Sequence, residues 1–260
     1  MASAVTRAAV APVVAAPTVR AEQVTQLVLG ETAEILEAAG EWRRVRTVLD
    51  RYEGWTNAGY LLEVDDDAAA WWRGRAGAWC EGAVLTIDAA RVSLPLRARV
   101  AVEGASVVLP DDRRGALVEG AARLRATVAQ DALATPPERW AATHFLGAPY
   151  QWGGVTPWGV DCSGLVQTVF AARGRQLPRD SGEQAKEGDP VDLDRVAPGD
   201  LLFFANDAGR INHVAFAGQE DTLVHSTIAC GGMLVESWAP GSRAAGLRAR
   251  LVAARRLESR

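Results

Sequence analysis

The chain has 260 residues, of which 48% are hydrophobic, and a formal net charge of −4. Because a single core stops growing at roughly 250–300 residues, this length favours two or more domains. The acidic excess offers no basic surface for phosphate contacts, which excludes a nucleic-acid partner on electrostatic grounds. Charged residues interrupt the apolar runs before the roughly 20 residues that a membrane span needs, so no membrane segment is predicted.

The first 17 residues are rich in alanine and have only part of the pattern of a secretion signal. They lack a basic start with an unbroken apolar core, and Pro12 and Pro17 interrupt them. We therefore interpret this segment as a leading strand or arm of the mature chain. The expected location is the cytoplasm, and export through an atypical signal is the alternative.

The chain has three cysteines, Cys80, Cys162 and Cys230. An odd number at such wide spacing is not typical of a disulfide framework, and no C-x-x-C pair indicates a zinc site. A reducing compartment is therefore expected, and neither a metal nor another cofactor is predicted.

Residues 1 to about 130 contain short β-branched or apolar runs that recur about every ten residues between turn-forming residues, a pattern typical of small β-barrels. This pattern predicts one barrel over residues 1–64 and a second, divergent barrel over residues 65–130. The predicted strands are 25–29, 33–37, 42–48, 54–56, 79–87, 92–94, 98–102, 105–109 and 116–118.

The character of the sequence changes near residue 131. Helical spacing over 138–146 and an apolar run over 165–172 predict helices. Four short strand-like runs follow, at 201–204, 212–216, 222–226 and 233–237. Helices first and antiparallel strands afterwards predict an α+β domain over residues 131–260.

Cys162 lies between a loop rich in glycine and tryptophan, residues 150–159, and the predicted helix that follows it. This position places the thiol at the start of a helix. The positive end of the helix dipole and the unpaired N–H groups there favour the thiolate, which is the form that attacks carbonyl carbon. A reactive cysteine is therefore the first hypothesis, and an inert core cysteine is the alternative.

A cysteine nucleophile needs a base and a third polar group that orients the base. His213 and His225 lie on two predicted strands, twelve residues apart in the sequence. If these strands pair as a hairpin, the two imidazoles can lie side by side on one face, with one of them directed to Cys162. Two ordinary half-buried histidines are the alternative, and the residues alone leave both interpretations open.

Five segments resemble, in order and spacing, the NlpC/P60 family of papain-like cysteine peptidases. They are Tyr-Gln-Trp-Gly-Gly at 150–154, Asp-Cys-Ser-Gly-Leu at 161–165, Pro-Arg-Asp-Ser-Gly at 178–182, Pro-Gly-Asp-Leu-Leu-Phe-Phe at 198–204 and Asn-His-Val-Ala at 212–215. The resemblance covers residue 136 to about residue 256. It implies a papain-like α+β catalytic domain with a central antiparallel sheet, in which Cys162 is the nucleophile, His213 the base and His225 the orienting residue.

The N-terminal half is similar to the bacterial SH3-like (SH3b) domains that precede this catalytic domain in γ-D-glutamyl-L-diamino acid endopeptidases. Residues 20–31 and 52–61 carry this similarity, whereas residues 65–128 match only weakly. In those enzymes the first SH3b domain binds the free amine of L-Ala. The resemblance implies Glu22 and Tyr52 for this role, with Tyr60 as a competitor for the tyrosine position.

The resemblance also implies six substrate-binding residues in the catalytic domain. They are Tyr150, Trp152, Asp161, Ser163, Asp180 and Ser181. A helix N-cap is the alternative role for Asp161, and both roles can coexist. Packing in the core is the alternative for Tyr150 and Trp152.

The function implied by the resemblance is cleavage of the bond between γ-D-Glu and the diamino acid of murein peptides, such as L-Ala-γ-D-Glu-diaminopimelate, whose N-terminal L-Ala is free. A monomer is expected. The alternatives are a cell-wall-binding protein with an inactive peptidase half, and a hydrolase or acyl transferase that acts on intact peptidoglycan. No feature of the sequence distinguishes meso-diaminopimelate from L-lysine.

Overall fold

The computed structural model describes residues 2–258 and divides into two compact units, Met1–Val128 and Ala129–Arg260. Met1, Ser259 and Arg260, which belong to the predicted first and third domains, lie outside the described residues. The boundary predicted at residues 64 and 65 falls inside the first unit, where it stays a prediction.

The first sheet of the first unit has seven antiparallel strands in the order β3-β2-β6-β5-β4-β1-β7. Its buried face is made by small and β-branched side chains, including Ala11, Val13 and Val45. The alanine-rich segment contributes the first two strands, and its place in the mature chain stays a prediction. The bounds are β1 (Ala2–Thr6), β2 (Val10–Val14), β3 (Gln23–Val28), β4 (Thr32–Ala39), β5 (Trp42–Thr47), β6 (Glu53–Asn57) and β7 (Leu61–Asp65).

The second sheet has five strands in the order β10-β11-β12-β8-β9, and β10 also pairs with β8. Four of its strands therefore close on themselves, as the barrel prediction requires. All five strands predicted in this part of the chain are confirmed. The bounds are β8 (Ala78–Ile87), β9 (Ala90–Ser93), β10 (Arg99–Glu103), β11 (Ser106–Val108) and β12 (Arg114–Leu124).

Two helices interrupt the region that the sequence analysis described as strand-like: α1 (Asp66–Arg75) and α2 (Arg125–Ala134). Asp65 caps α1 by accepting a hydrogen bond from the Ala68 N–H at 2.7 Å. Trp72 then anchors the helix, because its indole N–H donates to the Gly30 carbonyl at 2.9 Å. The acidic run at 65–67 is therefore a helix start, which is where negative charge is stabilised by the helix dipole.

The second unit contains three further helices, a two-strand hairpin and a six-stranded antiparallel sheet in the order β15-β20-β16-β17-β18-β19. The predicted α+β class and the four predicted strands are confirmed. No helix within residues 2–258 is long and apolar enough to cross a membrane. The bounds are α3 (Pro137–Phe145), β13 (Val155–Thr156), β14 (Gly159–Val160), α4 (Cys162–Ala172), α5 (Ser181–Gln184), β15 (Asp189–Pro190), β16 (Leu201–Ala205), β17 (Ile211–Ala217), β18 (Thr222–Thr227), β19 (Gly232–Ser237) and β20 (Leu251–Arg256).

Both faces of this sheet are covered. Phe170 of α4 stacks on Phe216 of β17, with ring centroids 6.1 Å apart. On the other face, Ala215 packs in a cluster with Ala244 and Leu247 from a 3-10 helix, Arg243–Arg250. Ala215 and Phe216 point to opposite faces because successive side chains of a strand alternate. The sheet is thus held between α4 and the 3-10 helix.

The start of α4 lies directly against the glycine-rich loop. A side chain at Gly164 would place its Cβ 2.0 Å from the Gly154 carbonyl oxygen, so only glycine allows this approach. On the other side of the loop, the Ser226 hydroxyl donates to the Val160 carbonyl at 2.7 Å. These two contacts position Cys162 between the loop and the sheet.

Candidate active site

Cys162 is the first residue of α4, as the sequence predicts. Asp161 is the N-cap, and its Oδ1 atom accepts a hydrogen bond from the Gly164 N–H at 2.7 Å. The cap role considered for Asp161 is therefore confirmed. Cys162 is only 8% exposed, so it is largely shielded from solvent.

Cys162 and His213 together line a cavity of about 560 Å³. Tyr150 and Trp152, two of the predicted substrate-binding residues, line the same cavity. Trp152 is 58% exposed, which does not fit the alternative of core packing. Further walls come from Asn212, from residues 227–229 and from the 3-10 helix, which contributes Arg243 and Arg250.

The two predicted strand histidines are in direct contact. Strands β17 and β18 pair with Phe216 opposite Val224 and Ala217 opposite Leu223, a register that places His213 and His225 diagonally on one face. His213 Nε2 lies 2.7 Å from His225 Nδ1, which is a hydrogen-bond distance. The predicted side-by-side arrangement is confirmed, and the catalytic roles of the two residues stay a prediction.

A carboxylate that the sequence analysis did not single out continues this chain of contacts. His225 Nε2 lies 2.8 Å from Glu236 Oε1. The guanidinium of Arg243 donates to both carboxylate oxygens of Glu236, with Nε 2.9 Å from Oε2. Because His225 stands opposite Leu234 in the β18–β19 register, Glu236 is its diagonal neighbour on the same face. Sequence alone carries no signal for this contact, since it depends on the register.

Burial decides the protonation of Cys162. It raises the pKa of the thiol to about 12, and the negative charge of Asp161 acts in the same direction. Backbone N–H groups of Val214 and Ser163 and the charge of Arg179 oppose this effect without overcoming it. The pKa thus moves opposite to the direction expected from the helix start. Removal from water destabilises the thiolate more than the helix dipole and the nearby N–H groups stabilise it.

Burial also keeps the histidines neutral. The pKa of His213 is lowered to about 3, mainly by burial and to a smaller extent by His225, Arg250 and Arg243, in that order. The pKa of His225 is likewise lowered by burial, although Glu236 opposes the shift. At neutral pH the cavity therefore holds a thiol and a neutral imidazole, and a neutral imidazole can accept the thiol proton during attack.

A buried ion pair supports the start of α4. Arg179 is 2% exposed, and its Nη2 atom lies 2.6 Å from Asp161 Oδ2. Arg179 also donates to the Ser163 hydroxyl at 2.8 Å, and the Gly153 N–H donates to Asp161 Oδ2 at 2.8 Å. Asp161 and Ser163 are thus part of a buried polar network, and their predicted contact with substrate stays a prediction. Arg179 belongs to the Pro-Arg-Asp-Ser-Gly segment at 178–182, but no role was predicted for it.

Asp180 and Ser181 lie at the start of the short helix α5, with Asp180 exposed and Ser181 buried. Gln184 of this helix donates to the Ser163 carbonyl at 3.0 Å and to the Pro178 carbonyl at 2.9 Å. These bonds place Ser181 near the start of α4, although Asp180 and Ser181 are not among the residues that line the cavity. Their substrate contacts stay a prediction.

Glu22, Tyr52 and Tyr60, the residues predicted to bind a free amine, belong to the first unit. Glu22 is exposed, Tyr52 is half-buried and Tyr60 is 38% exposed. Their role in amine binding stays a prediction. Within residues 2–258 there is no group of three or more His, Cys, Asp or Glu side chains that could hold a metal ion.

Two parts of the chain match known families. Residues 147–241 match the NlpC/P60 family, and residues 13–59 match the bacterial dipeptidyl-peptidase Sh3 domain. The first match contains Cys162, His213, His225 and Glu236. Arg243 and Arg250, at the ends of the 3-10 helix, lie beyond it.

Curated relatives match over about a third of the chain. A protein of Bacillus subtilis named gamma-D-glutamyl-L-lysine dipeptidyl-peptidase is 48% identical over 84 residues, which are 32% of this chain and 28% of the relative. A Bacillus cereus protein of the same name is 43% identical over 84 residues, 32% of this chain and 25% of the relative. The matched segment thus spans about a quarter of the length of these relatives.

Solved structures share the fold over nearly the whole chain. An NlpC/P60 family protein from Bacillus cereus has a TM-score of 0.79 and 21% identity, over 98% of this chain and 99% of the other. An NlpC/P60 endopeptidase from Photobacterium damselae subsp. piscicida has a TM-score of 0.69 and 14% identity, over 96% of this chain and 70% of the other. Since the family matches and the fold agree, the chain carries an NlpC/P60 domain at residues 147–241, preceded by a bacterial SH3 domain at residues 13–59.

Proposed function

We propose that the chain is a cysteine endopeptidase that cleaves the bond between γ-D-Glu and the diamino acid of murein peptides with a free N-terminal L-Ala. The observation that carries this proposal is the cavity that Cys162 and His213 line together, with His213 hydrogen-bonded in turn to His225. The NlpC/P60 match supports a peptidase. The name shared by the two Bacillus relatives supports a γ-D-glutamyl bond as the target.

The proposed reaction proceeds through an acyl-enzyme. As Sγ of Cys162 attacks the γ-carbonyl carbon of D-Glu, the thiol proton moves to His213 and the carbonyl electrons move to oxygen. His213 then delivers this proton to the nitrogen of the diamino acid as the C–N bond breaks. A water molecule then loses a proton to His213 and attacks the thioester carbon; as the C–S bond breaks, His213 returns this proton to Sγ, which restores the thiol and releases the dipeptide.

Recognition of a free amine is the finer part of the proposal. A buried ammonium needs a facing carboxylate and hydrogen-bond acceptors, because its desolvation otherwise costs several kcal/mol, of the order found for unpaired buried charges. Glu22 would supply the carboxylate, and the Tyr52 hydroxyl would supply a hydrogen-bond acceptor.

The test compares two peptides, L-Ala-γ-D-Glu-meso-diaminopimelate and its N-acetylated form. We expect kcat/KM for the free peptide to exceed that for the acetylated one by about 100-fold, since acetylation removes a charge-assisted contact that is worth ~2–3 kcal/mol. Release of the diamino acid is measured by chromatography. Equal cleavage of both peptides would contradict free-amine recognition, and cleavage of neither would contradict the proposed activity.

Glu22→Gln separates the amine contact from catalysis. We expect this variant to lose activity on the free peptide through a higher KM, while its weak activity on the acetylated peptide stays the same. Glu37→Gln, an exposed carboxylate on β4 of the same unit, is the matched control. If the two variants behave alike, Glu22 does not bind the amine.

A further inference from the structure

Three neighbouring strands contribute one polar side chain each to the same face of the sheet of the second unit. His213 on β17, His225 on β18 and Glu236 on β19 are linked by contacts of 2.7 Å and 2.8 Å. The strand registers make each residue the diagonal neighbour of the next. The three side chains therefore form a continuous row that ends at the cavity with Cys162.

The Glu236 carboxylate determines which atom donates and which accepts in each hydrogen bond of this row. An ionised carboxylate only accepts hydrogen bonds, so His225 must donate to Glu236 from a protonated Nε2. A neutral His225 then has a bare Nδ1, which can only accept the hydrogen bond from His213 Nε2. His213 is in turn protonated at Nε2 and has its lone pair on Nδ1, the ring nitrogen that is not bonded to His225.

The carboxylate is itself fixed in place. Burial alone would raise the pKa of Glu236, but hydrogen bonds from Arg243 and His225 outweigh burial and lower it, so the group is ionised at neutral pH. Arg243 holds both carboxylate oxygens, and it begins the 3-10 helix that covers this face of the sheet. Neither histidine can rotate or change tautomer without breaking one of these hydrogen bonds.

We propose that Glu236 is a positioning residue that fixes the tautomers of His225 and His213, and so leaves the lone pair of His213 on Nδ1, where it can accept the thiol proton of Cys162. This inference rests on the proposed function for its kinetic consequence. When His213 accepts the thiol proton, the Glu236 carboxylate at the other end of the row also stabilises the positive charge of the imidazolium. No proton moves to Glu236 in this role. The competing interpretation is that Glu236 only forms a structural ion pair with Arg243.

Imidazole ¹⁵N spectra test the tautomers directly, and the chain has only three histidines to assign. For the unmodified protein we expect His213 and His225 both to be protonated at Nε2 and bare at Nδ1. In Glu236→Ala we expect this preference to be lost at His225 and weakened at His213. Glu236→Gln keeps an accepting oxygen and should therefore preserve part of this tautomer preference. A wild-type spectrum in folded Glu236→Ala would overturn the proposal.

Kinetics supply the second readout. We expect Glu236→Ala to lower kcat roughly 10- to 100-fold with little change in KM, the range found when the hydrogen-bond partner of a metal-bound histidine is replaced, and Glu236→Gln to lower it less. The matched control is Glu220→Gln, which removes an exposed carboxylate from the turn between β17 and β18. A change in KM alone, or no change in kcat, would also overturn the proposal.

The two proposals fail in different ways. If the unmodified protein cleaves no murein peptide, the proposed function is wrong, while the ring spectra still decide whether Glu236 fixes the tautomers. If the unmodified protein is active and both Glu236 variants match it in kcat and in spectrum, the proposed function stands and the role of Glu236 is wrong. Should Glu236→Ala fail to fold, Glu236→Gln supplies both readouts.

Discussion

Replacement of Cys162 by alanine is expected to lower kcat by about 10⁴-fold or more, since loss of a nucleophile removes the covalent route and leaves only binding and electrostatic effects. The substitution removes one sulfur atom from a residue that lines the cavity, so the free energy of unfolding should change by only about 1 kcal/mol. Activity is measured as release of the diamino acid, and stability as thermal unfolding by circular dichroism.

The other two cysteines provide matched controls for the same substitution. Cys80 is buried on β8, so Cys80→Ala should lower the free energy of unfolding by about 1 kcal/mol while kcat stays the same. Cys230 is exposed, so Cys230→Ala should change neither quantity. Activity that persists in Cys162→Ala, or that is lost equally in all three variants, would refute Cys162 as the nucleophile.

Arg179→Met is expected to cause the largest loss of stability, about 3–5 kcal/mol, because it leaves the buried charge of Asp161 without its partner. Activity should fall with it, since Asp161 caps the helix that Cys162 begins. The free energy of unfolding is measured by urea denaturation. Arg195→Met, which replaces an exposed arginine in the same unit, should change this free energy by less than about 0.5 kcal/mol.

A double variant shows whether the unpaired charge is the cause. Asparagine is as good an N-cap as aspartate but carries no charge, so Asp161→Asn combined with Arg179→Met should recover much of the stability that Arg179→Met alone loses. If the double variant is less stable than Arg179→Met alone, the arginine stabilises the loop through its other contacts, and the ion pair is not the main cause.

Local sequence patterns were sufficient for most of the strands and for the position of Cys162. The runs at 201–204 and 222–226 became β16 and β18, because alternating or continuous apolar character is a property of each strand by itself. Helix α1 was missed although its start carries three aspartates. Its indole anchor, Trp72, bonds to Gly30, a residue more than forty positions away that no local window includes.

The candidate site was predictable only in part, because some of its contacts join segments that no local sequence window includes together. His213 and His225 were found because the chain has few histidines and because the two strands are close in sequence. Glu236 lies on a strand that was also predicted, yet its contact with His225 depends on the register between β18 and β19. A shift of one residue in this register would turn Glu236 to the opposite face.

The sequence by itself determined the fold class, the helix that begins at Cys162, the histidine pair and the two family resemblances, since these depend on local periodicity, spacing and motif order. Only the tertiary structure decided that Arg179 pairs with Asp161, that Glu236 continues the histidine row, and that the resting thiol and imidazole are neutral. Strand register and burial cause these three features, and both arise when distant segments of the chain pack together and exclude water.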